Sequence, residues 1–374
     1  MQRVLFVSKP IAAPFHDGTK CLVRDVAREL RAVAPVVLTT KEGLGQLPPG
    51  VSGRAVYGAS GTFAPALLDN ARAAFSLLSA REDLWHFVFA PNPRTGQVAR
   101  GLRALRRVPI VQTVASPPRH FSGLSKLIFG DELVVQSRAT EQSLREAARR
   151  EGFALPPITV IPPPVPASLL VPDDAAVAAA RRELDLRPGN RVLLYPGDLE
   201  VSSGAEVTRA LVKPLLERVP NAIVVFAYRN KTSQAAGRAA ALRQALVGEA
   251  RVRITDSVSS MHALLRAVDI VIFPVDDLWG KVDQPIVLLE ALALGTPCVV
   301  LDQGPLKDVV GARKVATIDV GAWLEVISAV LSDSALQGEL VAQGHAAARE
   351  VYASGVVARA YEAIYLRVLA RSAR

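Results

Sequence analysis

The sequence of 374 residues is poor in cysteine and lacks long apolar runs. Its two cysteines, Cys21 and Cys298, both fall in apolar segments, so they indicate neither a disulfide framework nor a metal site. No apolar run approaches the roughly 18 residues that span a bilayer. Met1 is followed at once by the apolar residues of a strand, which leaves no room for a signal peptide. We therefore expect a soluble, cytoplasmic protein.

Acidic charge is scarce in the first half of the chain. Residues 1–165 carry 21 Lys and Arg against 12 Asp and Glu, whereas the remaining residues carry 23 of each. The net charge of +9 therefore belongs to the first half. A basic face suits an anionic partner, such as the inner surface of a membrane or a lipid pyrophosphate acceptor. The alternative explanation of the positive charge is that it belongs to solvated, arginine-rich helices. Two clusters would then be of this kind, one formed by Arg100, Arg103, Arg106 and Arg107 and the other by Arg145, Arg149 and Arg150.

Nucleic acid is not an expected partner. The basic residues are not interleaved with aromatic ones, and no known nucleic-acid-binding motif is present.

Length and periodicity predict two α/β domains. The chain exceeds what one core usually supports, and half of its residues are hydrophobic, which is enough for two packed sheets. Short apolar runs alternate with segments of helical periodicity, which is typical of doubly wound, Rossmann-like folds. In the first half, the predicted strands are 3–7, 36–39, 85–89, 110–114 and 132–136, and the predicted helices are 18–31, 64–80, 96–106 and 137–150, the last capped by Ser137.

A proline-rich stretch separates the two halves. Residues 162–164 and 166–172 have the composition of a stiff interdomain linker. We therefore place the domains at residues 1–165 and 166–350, followed by a C-terminal helical segment at 351–374.

The second half repeats the alternation of strands and helices. Its predicted strands are 192–195, 222–227, 252–255 and 270–273, with one more starting at Cys298, and its predicted helices are 205–218, 233–247, 259–268 and 286–294. The last helix of the chain, 354–369, has an apolar stripe formed by Tyr361, Ile364, Tyr365 and Val368.

The stretch between residues 269 and 300 is the most informative about function. A strand, a polar loop, a helix and a second strand follow one another there, and in open parallel sheets ligands bind at the carboxyl ends of such strands. The helix is apolar on every face except at Glu290, so it should be buried. A lone buried carboxylate costs several kcal/mol unless it is hydrogen-bonded. Glu290 therefore needs a partner, which is either the hydroxyls of a bound sugar, a nearby arginine or a loop amide.

The residues from Glu290 to Val300 resemble a motif of the retaining GT-B glycosyltransferases of the family-4, group-1 type. That motif has two glutamates separated by seven residues, followed by A-x-A-x-G-x-P-V-V. Glu290 corresponds to the second glutamate, and Val282 stands at the position of the first. The residues from Lys281 to Pro285 are similar to a K-x-D-x-P variant of some relatives. Further segments of the chain resemble the family at 133–137, 158–162 and 193–197.

This resemblance implies a GT-B fold, in which two Rossmann-like domains face each other across a cleft and the last helix crosses back to the first domain. It implies a nucleotide diphosphate-sugar as donor and co-substrate, no other cofactor, and a glycan, a lipid-linked molecule or a small molecule as acceptor. The second glutamate would hold the ribose of the donor, and the amino end of its helix would face the diphosphate. The implied donor residues are Glu290, Gly197, Gln284, Pro285, Ile286, Val287 and Val258, and the implied catalytic residues at the donor sugar are Asp283 and Lys281.

The diphosphate needs cations, which the family usually supplies from a glycine-containing turn. The corresponding turn, 197–204, has Asp198 and Ser203 at those basic positions. The next strand is followed by Arg229 and Lys231, alternate residues at its carboxyl end that project on one face. We hypothesise that these two residues, together with Lys281, surround the diphosphate.

On the acceptor side, the resemblance points to the loops after the predicted strands 3–7 and 110–114. His16, Asp17 and Gly18 lie in the first loop, and Arg119 and His120 lie in the second, where the usual histidine of the family is missing. His86 lies inside an apolar strand and is interpreted as a core histidine with satisfied hydrogen bonds. His262 and His345 lie on helices and receive no role.

No metal site is predicted. Asp276 and Asp277 are adjacent, and we interpret them as loop acids that cap a helix or pair with Lys281, because a magnesium ion would need further ligands around it. The family that the chain resembles retains configuration without an agreed protein nucleophile. A front-face route fits a site with few carboxylates, and catalysis would then be mainly electrostatic stabilisation of the leaving diphosphate. Two alternatives stay open, which are a non-catalytic sugar-binding or partner-binding relative and a sugar-nucleotide epimerase on the same fold.

Overall fold

The computed structural model describes residues 1–15, 17–59, 67–166, 173–228 and 234–372. The chain divides into two compact units. Unit 1 comprises Met1–Pro166, Trp279–Pro285 and Tyr352–Arg374, and unit 2 comprises Ala167–Leu278 and Ile286–Val351. The segment Trp279–Pro285 lies within the predicted second domain, yet it packs with unit 1.

Unit 1 is built on a parallel sheet of seven strands in the order β3-β2-β1-β4-β5-β6-β7. The order reverses between β1 and β4, and this switch point is where open α/β sheets bind ligands. The strands are β1 (Arg3–Val7), β2 (Ala34–Thr40), β3 (Ser52–Tyr57), β4 (Leu84–Phe89), β5 (Ile110–Val114), β6 (Glu132–Val135) and β7 (Ile158–Val160).

Three helices of unit 1 begin at residues whose side chains cap them, which are Asp17, Asn92 and Ser137. The hydroxyl of Ser137 accepts a hydrogen bond of 3.0 Å from the amide of Thr140, which confirms the predicted N-cap. Asn92 caps the helix Pro93–Arg106 in the same way, since its side-chain oxygen accepts a hydrogen bond of 2.9 Å from the amide of Thr95. The helices are α1 (Gly18–Glu29), α2 (Leu67–Leu78), α3 (Pro93–Arg106), α4 (Leu124–Leu127) and α5 (Arg138–Glu151), to which the C-terminal α13 (Ser354–Ser372) is added.

Helix α13 packs into the core of unit 1. The predicted stripe of Tyr361, Ile364, Tyr365 and Val368 is buried in one cluster with residues of α1 such as Val23. The helix is also held by its polar side chains, since Glu362 accepts hydrogen bonds from the backbone amides of Arg31 and Ala32.

His86 lies at the centre of a buried polar network, which confirms its interpretation as a core histidine. Its Nε2 atom is 2.7 Å from the hydroxyl of Thr113, and its Nδ1 atom is 2.8 Å from the hydroxyl of Tyr365. Burial lowers the pKa of His86 from 6.5 to about 3, because the charged imidazolium is poorly solvated there.

Unit 2 is built on a parallel sheet of six strands in the order β10-β9-β8-β11-β12-β13, with its switch point between β8 and β11. The strands are β8 (Arg191–Tyr195), β9 (Ala222–Ala227), β10 (Val252–Thr255), β11 (Ile270–Phe273), β12 (Cys298–Leu301) and β13 (Arg313–Val315). The helices are α6 (Asp174–Glu183), α7 (Gly204–Arg218), α8 (Gln234–Ala245), α9 (Met261–Ala267), α10 (Ile286–Ala293), α11 (Val320–Ser332) and α12 (Ser334–Glu350).

Helix α10 is buried, as its composition predicts. Leu288, Leu289, Ala291 and Leu292 are almost fully excluded from solvent. The helix ends at Ala293, and Gly295, two residues later, has a φ of 80°, a left-handed conformation that favours glycine.

The edge strands β3, β7 and β13 are absent from the sequence-based prediction. Strand β3 contains Gly53 and Arg54 and is mostly half-exposed, so it has no apolar run that would reveal it. Strand β13 is only three residues long. The predicted linker residues 167–172 lie outside the described residues. Within the described ranges, we find no helix with both the length and the apolar character that crossing a bilayer requires.

Candidate functional site

Two loops meet at the switch point of unit 2. One follows β8 and leads to α7, and the other follows β11. The carboxylate of Asp276, in the second loop, accepts hydrogen bonds from the amide of Ser203 at 2.9 Å and from its hydroxyl at 2.7 Å. Burial raises the pKa of Asp276, but the hydrogen bonds from Ser203 and from nearby amides outweigh it, so the pKa lies below its usual value. Asp276 therefore joins the two loops as an ionised carboxylate at the start of α7.

Gly197 lies where the first loop passes over the ring of Tyr195. A Cβ atom on Gly197 would lie 2.1 Å from Cζ of Tyr195, and one on Gly204 would lie 2.8 Å from its hydroxyl. The same hydroxyl donates a hydrogen bond of 2.8 Å to the carbonyl of Asp198. Close packing on Tyr195 is thus the reason that this turn needs glycine at both ends.

Asp198 does not present a bare charge to a ligand. It is buried, and its carboxylate accepts a hydrogen bond of 3.1 Å from the amide of Val201 in its own turn. Asp198 and Ser203 are therefore both engaged within unit 2.

Glu290 has a partner that the sequence did not suggest. Its carboxylate lies 3.1 Å from Nε2 of His262, which is in the first turn of α9. The Glu290 side chain retains 15% of its exposure, whereas that of His262 retains 48%. The pair lies in neighbouring helices of unit 2 and leaves the carboxylate partly open to a ligand. Helical periodicity could place His262 on α9, but no local signal in the sequence pairs it with Glu290.

The segment Trp279–Pro285 is attached to unit 1 by polar contacts. The hydroxyl of Ser116 donates to the carbonyl of Lys281 at 2.6 Å, and the hydroxyl of Ser137 donates to the carboxylate of Asp283 at 2.8 Å. The amide nitrogen of the Gln284 side chain donates to the carbonyl of Gln136 at 2.9 Å. Because three residues of the segment are bound in this way, its conformation depends on the carboxyl ends of β5 and β6.

Asp283 is fully buried in this arrangement, and Val282 is also buried. The backbone amide of Asp283 donates to the side-chain oxygen of Gln136 at 3.3 Å. The structure therefore places Asp283 inside unit 1, on the N-cap residue of α5. Its predicted contact with a donor sugar stays a prediction, as does that of Lys281, which is half-buried.

The other predicted donor residues are divided between the units. Gln284 and Pro285 are buried in the segment that packs with unit 1, and Ile286 and Val287 form the half-buried first turn of α10 in unit 2. Val258 lies half-buried in the loop before α9. Arg229 and Lys231 lie outside the described residues.

The predicted acceptor-side loop after β1 is ordered by Asp17. Its carboxylate accepts hydrogen bonds from the amides of Thr19 and Lys20, at 2.9 and 3.3 Å, and from the ammonium of Lys9 at 2.6 Å. Burial raises the pKa of Asp17, but Lys9 and the two amides outweigh it, so the pKa is lowered. Gly18 is the first residue of α1, whereas His16 lies outside the described residues.

The second acceptor-side loop carries Arg119 and His120, and both are exposed. The guanidinium of Arg119 lies 5.2 Å from the centre of the Trp279 ring, a distance typical of a cation–π contact. Arg119 therefore contacts the segment Trp279–Pro285, which Ser116 and Ser137 also bind. Among the described residues, no contact joins His120 to another predicted site residue.

Solved structures with this architecture match nearly the whole chain. HepE from Anabaena in complex with UDP-glucose has a TM-score of 0.76 at 17% identity and covers 98% of this chain and 100% of its own. Sucrose-phosphate synthase from Thermosynechococcus elongatus has a TM-score of 0.74 at 18% identity and covers 99% and 100%. The chain has the GT-B fold.

Part of the sequence of this GT-B protein matches a known protein family. Residues 190–333, which lie in unit 2 apart from the segment 279–285, match the family described as Glycosyl transferases group 1. D-inositol 3-phosphate glycosyltransferase from Xylanimonas cellulosilytica is 31% identical over 245 residues, which are 60% of this chain and 56% of that relative. The protein of the same name from Corynebacterium glutamicum is 24% identical over 264 residues, 64% of this chain and 62% of the relative. The matches thus span little more than half the length of these relatives.

Proposed function

We propose that this protein transfers a sugar from a nucleotide diphosphate-sugar donor to an acceptor hydroxyl. The observation that carries the proposal is the environment of Glu290, a carboxylate that remains partly exposed on the otherwise apolar helix α10 and is paired with His262. A carboxylate held in this way can accept hydrogen bonds from both hydroxyls of a ribose, which are strong because the acceptor is charged. The match of residues 190–333 to the group 1 glycosyl transferases supports this role.

The diphosphate of the donor would lie toward the amino end of α10. That end follows β11 at the switch point of unit 2, and the partial positive charge of a helix amino end favours an anion. The start of α7 is engaged by Asp276, so it is a poor place for a second anion. We therefore keep Arg229, Lys231 and Lys281 as the cations that compensate the diphosphate.

The reaction that we propose retains the configuration of the anomeric carbon, as in family 4, and requires no metal ion. The bond between the anomeric carbon and the diphosphate oxygen breaks on the face where the acceptor oxygen adds, and the leaving phosphate takes the acceptor proton. The contribution of the protein is electrostatic stabilisation of the departing diphosphate. Asp283 and Lys281 would order the donor sugar through the segment that carries them.

UDP-sugars are the first donors to test, because a structural neighbour holds UDP-glucose. A sugar or polyol phosphate is one acceptor class to include, because the matched relatives are named for D-inositol 3-phosphate. Glycans and lipid-linked molecules complete the panel.

The test is release of nucleoside diphosphate that depends on an acceptor. We expect release from the wild-type protein, release that persists with a metal chelator, and a product whose anomeric proton coupling in NMR reports retention. Glu290→Ala should abolish release, whereas Glu325→Ala, on the surface of α11, should not. Binding of nucleoside diphosphates without any release across the panel would instead favour a non-catalytic binding protein.

A further inference from the structure

Helices α2 and α3 of unit 1 present large apolar side chains to solvent. Leu68, Phe75 and Leu105 are 72, 76 and 73% exposed, and Val98 and Leu78 are also exposed. Among the described residues, twelve large hydrophobic side chains are exposed, and five of them lie on these two helices of 12 and 14 residues. Single exposed apolar residues are common, but such clusters mark interaction surfaces.

The exposed residues follow helical spacing. On α2, Leu68, Ala71, Phe75 and Leu78 are separated by three, four and three positions, and all four are exposed, so they form one stripe along the helix. On α3, Val98, Gly101 and Leu105 repeat the spacing of three and four, and they are exposed as well.

These stripes are not the faces that pack on the sheet. Ala73 and Leu77 of α2, and Ala99 and Leu102 of α3, are buried in the same core cluster of unit 1. Each helix thus has an inner apolar face that is already covered and an outer one that is not.

The two outer stripes lie side by side. Both helices cover the same core cluster, and the guanidinium of Arg106, at the end of α3, donates a hydrogen bond of 2.5 Å to the carbonyl of Ala80, just after α2. The stripes therefore form one surface, which we call the α2–α3 surface, composed of Leu68, Ala71, Phe75, Leu78, Val98, Gly101 and Leu105.

The charges on these two helices are predominantly positive. Helices α2 and α3 contain five arginines and a single acid, Asp69, which pairs with Arg72 at 3.3 Å. At the end of α3, a cavity of about 520 Å³ is lined by Arg100, Arg103 and Arg107. Arg103 is paired with Asp131, which leaves the cavity with an excess of positive charge.

Charge also decides which partner fits. Unit 1 contains 26 Lys and Arg against 14 Asp and Glu, so a second copy would bring like charges together around the apolar stripes. An anionic bilayer supplies the opposite charge and an apolar layer at the depth of the side chains.

We propose that the α2–α3 surface binds the interface of a bilayer that contains anionic phospholipid. The side chains of Leu68, Phe75 and Leu105 enter the boundary between headgroups and acyl chains, and the surrounding arginines contact lipid phosphates. This binding is independent of the proposed sugar transfer, since it needs neither donor nor acceptor.

The test is sedimentation of the full-length protein with phosphatidylcholine vesicles prepared with and without phosphatidylglycerol. We expect binding only when phosphatidylglycerol is present, and weaker binding at high salt because the attraction between exposed charges is screened. The double variant Phe75→Ser, Leu105→Ser should lower the partition coefficient about tenfold or more, because it removes two apolar side chains from the interface. Two exposed arginines flank α3, Arg94 in its first turn and Arg107 just after its end, and Arg94→Gln and Arg107→Gln should each lower the partition coefficient about fivefold.

Matched controls are available on unit 2. Val247 is 75% exposed and the Arg187 side chain is 79% exposed, so Val247→Ser and Arg187→Gln remove the same chemistry from another surface. Both should leave vesicle binding unchanged. All these positions are exposed, so each variant should keep the thermal unfolding midpoint of the wild type, which shows that a loss of binding is not a loss of folding.

Three results would overturn the proposal. The first is equal binding to vesicles with and without phosphatidylglycerol, or no binding to either. The second is an equal loss of binding in the unit 2 control variants. The third is a dimer in light scattering that Phe75→Ser, Leu105→Ser dissociates, since the α2–α3 surface would then be an interface between copies.

Discussion

The hydroxyl of Ser137 donates a hydrogen bond of 2.8 Å to the carboxylate of Asp283, which lies 146 positions further along the chain. The same hydroxyl accepts a hydrogen bond from the amide of Thr140 at the start of α5. One side chain therefore both caps a helix and holds the segment Trp279–Pro285 on unit 1. Because Asp283 is fully buried, this hydrogen bond compensates a carboxylate that would otherwise be costly to bury.

Replacing Ser137 by alanine should therefore cost more than the loss of an ordinary cap. A lost N-cap costs about 1 kcal/mol, and a buried charged acceptor deprived of a donor adds about 1–3 kcal/mol. We expect Ser137→Ala to lower the thermal unfolding midpoint by at least twice as much as Asn92→Ala, which removes only the cap of α3 in the same unit. Equal shifts in differential scanning calorimetry would mean that the bond to Asp283 contributes no stability.

Glu290→Gln should weaken nucleoside diphosphate binding. An amide offers one oxygen and no charge, so it cannot replace a carboxylate that accepts from two ribose hydroxyls. A hydrogen bond to a charged group contributes about 1.5–3 kcal/mol, which corresponds to a loss of about 10- to 100-fold in UDP affinity. Isothermal titration calorimetry checks this, with Glu325→Gln as the control, since Glu325 pairs with Arg218 on the surface of unit 2. If both variants bind UDP like the wild type, Glu290 has no role in binding the donor.

Arg229→Ala and Lys231→Ala should weaken UDP binding without affecting uridine binding. Both residues are assigned to the diphosphate, which uridine lacks, so the ratio of the two affinities isolates their contribution. We expect about a tenfold loss for UDP in each variant, in keeping with a charge-assisted hydrogen bond. Arg238→Ala, on α8, serves as the control for a general loss of positive charge. An unchanged ratio would remove these two cations from the site.

Gly197→Ala should destabilise unit 2 by overpacking. The new Cβ atom would lie 2.1 Å from Cζ of Tyr195, and Tyr195 is itself fully buried, so neither group can move freely. Overpacking of this kind typically costs about 1–3 kcal/mol. The matched control is Gly237→Ala in α8, where an added Cβ meets no atom within 4 Å and alanine is the better helix former by about 1 kcal/mol. The thermal unfolding midpoint should fall in the first variant and rise in the second.

Unfolding should become easier as the pH falls below 6.5, because of His86. Its folded pKa is lowered to about 3, so between pH 6.5 and 3 the unfolded chain binds a proton that the folded chain does not. The contribution of His86 to stability is present above pH 6.5 and is lost as the pH falls, at a rate that approaches about 1.4 kcal/mol per pH unit.

The window from pH 6.5 to 5 largely excludes the carboxylates, most of which titrate below it. His345, whose pKa is also lowered by burial, contributes there in both the variant and the wild type. Thermal unfolding of His86→Phe should depend less on pH there than that of the wild type, although its midpoint is lower at every pH. His120→Phe, at an exposed position, should keep the wild-type pH dependence. If thermal unfolding of His86→Phe keeps the pH dependence of the wild type, groups other than His86 cause that dependence.

Elements with strong local patterns were predictable, and elements without them were not. Strands such as Ile110–Val114 and Ala222–Ala227 are apolar runs between turns, and their bounds were predicted to the residue. The edge strand Ser52–Tyr57 was missed, because a strand with one half-exposed side carries little apolar signal. The arginines of α3 show the same limit, since composition counts their charges but cannot tell that Arg103 is paired with Asp131.

What the sequence by itself determined is the α/β architecture, the burial of α10 and the need of Glu290 for a partner, because periodicity and the cost of burying a charge are local properties. The tertiary structure alone decided that His262 is that partner, that the segment from Trp279 to Pro285 packs on unit 1, and that α2 and α3 expose a second apolar face. Each of these depends on which residues distant in sequence become neighbours, and no local pattern of side chains encodes that.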